Sequence, residues 1–287
     1  MVVHHRYATV RGHRILYREA GPADGPVFLL LHGFPTSSHM YRFLIPALAD
    51  RYHVIAPDYL GYGASDAPST TDFEYTFDSQ AAVLTELLAQ LGIDRFAMYI
   101  QDFGAPIGLR IAARNPGWVT AIVSQNGNAY AEGINPPFMA ALTGPVPADE
   151  QLRAQISPEF TRAQYLDGVP DPTLVSPDTW THDQALLDRP GNDKIQFAML
   201  RDYRSNLAVY PEIHEYFRAS QVPLLAVWGD GDQFFVPAGA HAYTKDLPDA
   251  EVHLLGTGHF ALETHLDTIV GHIRDFLGRQ LPDRAAA

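Results

Sequence analysis

The 287-residue sequence contains no cysteine, so a disulfide, a thiolate nucleophile and a cysteine-ligated metal are all excluded. Cationic residues are also few. The chain has 20 Lys and Arg against 33 Asp and Glu, which gives a formal net charge of −13 at pH 7. This acidity argues against binding to nucleic acid or to an anionic membrane surface, because the phosphate groups of both repel a negative protein.

Long apolar runs are missing as well. No run reaches the length that crosses a membrane, and the N-terminus, Met1-Val-Val-His-His-Arg, lacks the apolar core of a secretory signal. Hydrophobic residues make up 46% of the chain and charged residues 18%, which is typical of a soluble protein with a large core. We therefore expect a cytoplasmic enzyme, and nothing in the sequence implies a metal or an organic cofactor.

Apolar runs of strand length alternate with segments of helical spacing along most of the chain. The predicted strands are 7–10, 15–18, 27–31, 52–56, 96–100, 119–123, 222–227 and 251–255. The predicted helices are 39–50, 78–91, 107–113, 194–200, 238–246 and 263–277, with Asp78 as the cap of the second. This alternation predicts an α/β fold with a mostly parallel sheet between layers of helices.

The alternation stops near Asn126 and resumes only at Val222. Between them the sequence is rich in Pro, Asp and aromatic residues, with short helical patterns. We interpret 128–218 as a helical cap inserted into a core domain formed by 1–127 and 219–287. The alternative is a disordered linker, but the segment has too many large apolar side chains for one.

One strand of this pattern turns into a helix within a few residues. The apolar run from Phe96 to Ile100 ends at Gln101-Asp102-Phe103-Gly104, and a helical segment follows at once. A sharp strand–helix turn that carries a reactive side chain is a nucleophile elbow. Here the side chain is the carboxylate of Asp102, so we expect attack on an electrophilic carbon and an alkyl-ester intermediate. The alternative role for Asp102 is an ordinary helix N-cap.

The buried strand 27–31 leads directly into the loop His32-Gly33-Phe34-Pro35. In an elbow architecture, one N–H group of the oxyanion hole comes from a loop after an early strand and the other from the residue after the nucleophile. These positions are Phe34 and Phe103, with His32 in the same loop. An ordinary Gly-Pro turn is the alternative explanation.

Two further candidates follow the last two strands. Asp232 lies in the loop after strand 222–227, and His259 lies between Gly258 and Phe260 after strand 251–255. Parallel sheets place their active sites at the carboxyl ends of strands, so Asp102, Asp232 and His259 are expected to meet there. Asp232 would orient the imidazole and stabilise its cation, with Asp230 as the rival acid.

Together these motifs resemble the α/β-hydrolases of the epoxide hydrolase and haloalkane dehalogenase group, over nearly the whole chain. The motifs that carry the resemblance are His32–Pro35, Asp58–Ser65, Gln101–Gly104, Gly229–Asp232 and Gly258–Phe260. The resemblance places the acid three residues after the strand-ending glycine, at Asp232. Some dehalogenases place it after the preceding strand, but residues 124–127 here hold no carboxylate.

The resemblance implies a two-step mechanism. Asp102 attacks carbon and displaces an alkoxide or a halide, and His259 then activates water for attack on the Asp102 carboxyl carbon. The second step needs neutral His259, so it should work near and above pH ~6.5.

The leaving group decides between epoxide and halide. Many members of the group have Trp after the nucleophile as a halide donor, whereas this chain has Phe103. Tyr203, followed by Arg204, resembles the cap element that donates a proton to an epoxide oxygen, although fluoroacetate-type dehalogenases have a similar Tyr-Arg pair. Tyr130 is a candidate second donor, in competition with Tyr165, Tyr210 and Tyr216, and Trp180 is a candidate pocket residue.

We therefore expect hydrolysis of a small or medium-sized apolar epoxide by water. The alternatives are a dehalogenase and a catalytically weak ligand-binding homologue. The sequence leaves the oligomeric state open, with a homodimer among the options.

Overall fold

An eight-stranded sheet forms the centre of the structure, a computed structural model that describes residues 1–281. The strands are β1 (His4–Val10), β2 (His13–Ala20), β3 (Val27–Leu31), β4 (His53–Pro57), β5 (Phe96–Gln101), β6 (Val119–Gln125), β7 (Leu224–Gly229) and β8 (Glu251–Leu255). Their spatial order is β1-β2-β4-β3-β5-β6-β7-β8. The β1–β2 and β2–β4 pairs are antiparallel and the other pairs are parallel, so the predicted α/β fold is confirmed.

Helices flank this sheet and fill the long connection between β6 and β7. The α-helices of residues 1–281 are α1 (Leu44–Leu48), α2 (Phe77–Gln90), α3 (Gly104–Arg114), α4 (Pro136–Thr143), α5 (Asp149–Arg153), α6 (Pro158–Leu166), α7 (Asp178–Leu187), α8 (Asn192–Asp202), α9 (Ser205–Ser220), α10 (Pro237–Ala242) and α11 (Leu262–Gln280). Short 3₁₀ turns cover Ser38–Tyr41, Ala131–Gly133, Ala154–Ile156, Pro172–Leu174 and Tyr243–Lys245. Within the described chain, every helix is too short or too polar to span a lipid bilayer.

The two faces of the sheet bury separate apolar clusters. Leu29 and Leu31 of β3 join the cluster that contains side chains of α2 and α3. Phe28 and Leu30, which point to the opposite face, join the cluster that contains side chains of α1 and α11. Burial on both faces explains why β3 is a continuous apolar run.

Some predicted element boundaries were wrong. Instead of one helix over 39–50 there is a 3₁₀ turn followed by the short α1. Thr76, not Asp78, caps α2, because its backbone is extended and its hydroxyl accepts the Ser79 N–H. Asp78 lies inside the first turn and binds Arg110 and Arg114.

The connection between β6 and β7 contains α4 to α9 and no strand, and all of it lies within the described residues. We call α4–α9 with their loops the helical insert. Its side chains meet those of the strand ends around a common cavity. The division into a core domain and a cap at 128–218 stays a prediction.

Candidate active site

Asp102 stands at the turn between β5 and α3. Its backbone has φ = +48°, a left-handed conformation that is strained for a residue with a Cβ. The turn is tight because α3 packs against β3: a Cβ on Gly104 would lie 2.1 Å from the Leu31 carbonyl oxygen. Asp102 is not the N-cap of α3, since Phe103 holds that position and makes no side-chain cap.

Two backbone N–H groups bind the Asp102 carboxylate. The Phe34 N–H donates to Oδ1 at 2.6 Å, and the Phe103 N–H also donates to the carboxyl group. These are the two groups that the sequence nominated for an oxyanion hole. Because the Phe34 N–H already binds Oδ1, the other oxygen, Oδ2, is available for attack.

His32 lies behind the Phe34 loop rather than in the cavity wall. Its Nδ1 donates to the Gly33 carbonyl oxygen at 3.0 Å, and its ring stacks on Tyr59 with centroids 3.9 Å apart. Burial lowers the pKa of His32 to about 4, so its imidazole is neutral at pH 7. Its contacts hold the loop that carries the Phe34 N–H, but they do not bring His32 to a substrate.

His259 and Asp232 form a buried hydrogen-bonded pair. The His259 Nδ1 donates to Asp232 Oδ2 at 2.7 Å. The remaining acceptor capacity of Asp232 is used by the N–H groups of Phe234 and Phe235 and by the Asn126 side-chain amide. The rival acid, Asp230, is exposed to solvent, whereas Asp232 is bonded to the imidazole.

The other nitrogen of His259 faces the nucleophile candidate. His259 Nε2 lies 3.9 Å from Asp102 Oδ2, a separation that leaves the two groups unbonded but close. The Gln101 side-chain amide donates to the same Nε2 at 2.8 Å. The imidazole thus lies between two carboxylates. Asp232 fixes Nδ1, and Nε2 faces Asp102, which is the arrangement that a general base requires.

Burial and charge shift the pKa values of both groups upward. Burial alone would lower the pKa of His259, but the charge and hydrogen bond of Asp232 and the charge of Asp102 raise it above its usual value. Burial raises the pKa of Asp102, against the opposing effects of His259 and the Phe34 and Phe103 N–H groups. The pKa of each group thus depends on the charge of the other.

A cavity of about 270 Å³ lies above Asp102. Its wall is mostly apolar and aromatic, with side chains from the sheet loops and from the helical insert. The aromatic and aliphatic members are Phe34, Phe103, Phe138, Phe160, Phe234, Phe235, Leu142, Leu152 and Leu200. Such a wall suits a small or medium-sized apolar ligand.

Tyr203 is the one tyrosine in this wall among the described residues. Its ring packs on Phe103 and Phe235, with centroids 5.8 and 6.1 Å away. Burial, the neighbouring Tyr210 hydroxyl and the Asp102 charge raise the pKa of Tyr203 well above its usual value, so it stays protonated. The Tyr203 hydroxyl donates to Tyr210, so it can donate to a leaving oxygen only by exchanging that hydrogen bond.

Two other predicted site residues lie away from the cavity. The Tyr130 hydroxyl donates to Asp246 at 2.8 Å and its ring stacks on His214, so it has no free donor for a substrate. Trp180 packs in the apolar cluster on the other face of the sheet, beside Tyr165. The predicted roles of Tyr130 as a donor and of Trp180 as a pocket residue are therefore not supported by their positions.

The roles of three polar side chains at the site were not predicted from the sequence. Gln101 binds His259, Asn126 binds Asp232, and Gln164 lines the cavity. Gln101 is the last residue of β5 and Asn126 directly follows β6, and this position at a strand end was the available signal. Gln164 lies inside a helix of the insert, where no sequence pattern marked it. Within the described residues, no cluster of three or more His, Asp or Glu is arranged to hold a metal ion.

The mostly parallel sheet carries Asp102, Asp232 and His259 at the ends of its strands, with Asp102 at a sharp strand–helix turn. This arrangement defines an α/β enzyme with a nucleophile elbow. The chain belongs to the α/β-hydrolase family, whose model matches residues 26–266. It is 42% identical over 277 residues to an uncharacterized hydrolase of Saccharomyces cerevisiae, with 94% of this chain and 95% of the relative covered.

Two further comparisons name activities. The chain is 28% identical to a haloalkane dehalogenase of Bradyrhizobium diazoefficiens, covering 92% of this chain and 91% of that one. The solved structure of the epoxide hydrolase CorEH superposes with a TM-score of 0.78 at 22% identity, covering 97% and 99% of the two chains, and this likeness shows the fold alone. The protein is thus a hydrolase of the α/β-hydrolase family, and the predicted resemblance to this group is confirmed.

Proposed function

We propose that the protein hydrolyses a small or medium-sized apolar epoxide to a diol through an alkyl ester on Asp102. The observation that carries this proposal is the pairing of Tyr203 with Asp102 in one apolar cavity. A nucleophile and a protonated phenol on opposite sides of one ligand are what ring opening needs.

In the first step, Asp102 Oδ2 attacks a ring carbon and forms a C–O ester bond while the carbon–oxygen bond of the epoxide breaks. The Tyr203 hydroxyl gives its proton to the departing alkoxide. An alkoxide is a strongly basic leaving group, so a proton donor at this position lowers the barrier more than it would for a halide.

In the second step, His259 Nε2 takes a proton from water, and the oxygen of that water attacks the Asp102 carboxyl carbon. The Phe34 N–H, which binds Oδ1 in the free enzyme, and the Phe103 N–H stabilise the oxyanion. Collapse breaks the ester bond, and the departing alkoxide takes the proton of the hydroxyl that water added, which releases the diol and leaves Asp102 ionised. The proton on His259 returns through solvent to the tyrosine oxygen, so the net reaction consumes one water.

The second candidate is hydrolysis of a carbon–halogen bond, which the similarity to a named haloalkane dehalogenase favours. The residue after Asp102 argues against it. Phe103 has no side-chain donor for a halide, and its ring is packed between Phe34 and Tyr203. Tyr203 is able to donate to either leaving group, but a basic alkoxide gains more from this donor than a halide does, which favours the epoxide.

The experiment is to measure diol formation and halide release in parallel over matched substrates, such as styrene oxide against (2-bromoethyl)benzene, with Asp102→Asn as the blank. Diol without halide is the expected result. Halide without diol would establish the dehalogenase instead. Neither product, in a protein that still binds these compounds, would favour the ligand-binding homologue.

A further inference from the structure

One polar side chain in the cavity wall is left without a protein partner. Gln164 lies on α6 and is 5% exposed. Among the described residues, no group accepts a hydrogen bond from its Nε2. Its neighbours on the same helix are paired, since Thr161 donates to Gln184 and Tyr165 donates to Asp183.

Gln164 also occupies a particular position in the cavity. It lines the main cavity together with Asp102 and Tyr203. It also lines a smaller cavity of about 140 Å³ whose wall includes His259. Phe160 and Phe234 line both cavities beside it.

A buried amide N–H without a partner favours a substrate that can accept its hydrogen bond. A purely hydrocarbon ligand would leave this N–H without an acceptor, which is unfavourable. A ligand that carries its own acceptor at this place would form the hydrogen bond.

We propose that Gln164 is a specificity-determining residue that binds a hydrogen-bond acceptor, an ether or carbonyl oxygen, on the side of the substrate toward His259. The substrate class is then an epoxide with such an oxygen near the ring, rather than a plain hydrocarbon epoxide. This inference rests on the proposed function, because it takes Asp102 as the point of attack.

The test compares two epoxides that differ in one atom. Phenyl glycidyl ether has an ether oxygen where 1,2-epoxy-4-phenylbutane has a CH₂ group. The ratio of their kcat/KM values is measured for the wild type and for Gln164→Met, which has nearly the same shape and no donor. Dividing the wild-type ratio by the variant ratio removes the difference in intrinsic reactivity between the two epoxides. We expect Gln164→Met to reduce the preference for the ether by about ten-fold, the usual effect of one buried neutral hydrogen bond.

Gln164→Glu gives an independent check, because it replaces the donor by a negatively charged acceptor that repels the ether oxygen. This variant should reduce the preference at least as much. Gln184→Leu is the matched control. It removes a paired carboxamide from the same helical insert, outside the cavity wall, and should leave the ratio unchanged.

Binding separates this inference from the proposed function. The affinities of both compounds for Asp102→Asn and for Asp102→Asn/Gln164→Met are measured by calorimetry. If Asp102→Asn binds the ether more tightly and Asp102→Asn/Gln164→Met does not, the inference is supported. This holds even if the wild type makes no diol and the proposed function is wrong. An equal ratio in wild type and Gln164→Met, with normal diol formation, overturns the inference and leaves the proposed function standing.

Discussion

The Nδ1 of His259 lies 2.7 Å from Oδ2 of Asp232, and the Asp232 side chain is completely buried. Two residues earlier, Asp230 is exposed and makes only a backbone contact to the next strand, to the Leu255 carbonyl oxygen. The imidazole is thus oriented by one of two neighbouring carboxylates. With Nδ1 as the donor, Nε2 carries the lone pair, which accepts the Gln101 amide in the free enzyme and lies 3.9 Å from Asp102 Oδ2.

Replacing Asp232 by Asn should therefore reduce turnover strongly. The amide no longer stabilises the imidazolium and can bind the wrong tautomer of the ring. By analogy with other acid–histidine pairs, we expect kcat to fall by about 10³- to 10⁴-fold. The measurement is steady-state diol formation, with circular dichroism to check that the variant is folded.

Asp230→Asn is the control for this substitution, since it changes the same loop and the same net charge. It should keep turnover within a few-fold of the wild type. A larger loss for Asp230→Asn than for Asp232→Asn would mean that the wrong carboxylate has been assigned to His259.

His259→Gln should separate the two chemical steps. Attack by Asp102 does not need the imidazole as a base, whereas hydrolysis of the ester does. The variant should therefore accumulate a covalent adduct of substrate mass, which intact-protein mass spectrometry detects and peptide mapping locates on Asp102.

A second histidine provides the comparison. His214 hydrogen-bonds the Ala129 carbonyl oxygen and stacks on Tyr130, away from the cavity. His214→Gln should turn over substrate without a lasting adduct. An adduct on another residue, or none in His259→Gln with a substrate of the wild type, would rule out the ester mechanism.

Much of the fold was predictable because the signals are local. The strands of the parallel sheet are continuous apolar runs, and the elbow couples one of them to a helix within a few residues. Two glycines are also needed where neighbouring segments lie too close for a side chain. A Cβ on Gly33 would lie 2.2 Å from the Gln101 side-chain oxygen, and one on Gly104 would meet the Leu31 carbonyl oxygen.

The positions of side chains in the helical insert were less predictable, because they depend on contacts between segments that are distant in the sequence. Tyr130 and Tyr203 have the same chemistry, but Tyr130 meets Asp246 from beyond β7, while Tyr203 reaches the cavity. Nothing in their sequence surroundings distinguishes these outcomes. The same holds for Gln164, whose Nε2 is seen to lack a partner among residues 1–281 only in the folded structure.

Tyr203→Phe tests the proposed proton donor. Loss of the hydroxyl should slow the alkylation of Asp102 by an epoxide by on the order of 10²-fold, because the departing alkoxide loses its donor. Hydrolysis of an ester that has already formed should change little. Rapid-quench mass spectrometry measures both rates separately.

Tyr130→Phe is the matched control, since it removes a buried hydroxyl outside the cavity wall. It should leave alkylation near the wild-type rate. Near wild-type alkylation in Tyr203→Phe as well would mean that the Tyr203 hydroxyl only packs in the helical insert.

The pH dependence of the two steps should differ, for a reason that lies in the charges around His259. Asp232 and Asp102 both raise the pKa of His259, whereas burial lowers it. The base is active when neutral, so ester hydrolysis should rise as the pH rises through this pKa. Alkylation instead needs ionised Asp102, whose pKa burial raises from the low value usual for a carboxyl group and which protonated His259 helps to keep charged.

At a pH above the pKa of Asp102 and below that of His259, Asp102 is ionised and His259 is protonated. In this range the wild-type enzyme should form the ester faster than it hydrolyses it, and the ester should accumulate without any substitution. Alkylation also removes the Asp102 charge, so the pKa of His259 should be lower in the ester than in the free enzyme. Acid-quenched mass spectrometry across pH measures the ester fraction, and NMR titration of the free enzyme gives the pKa of His259. Equal pH profiles for alkylation and hydrolysis would show that one group controls both steps, contrary to the separate roles assigned to Asp102 and His259.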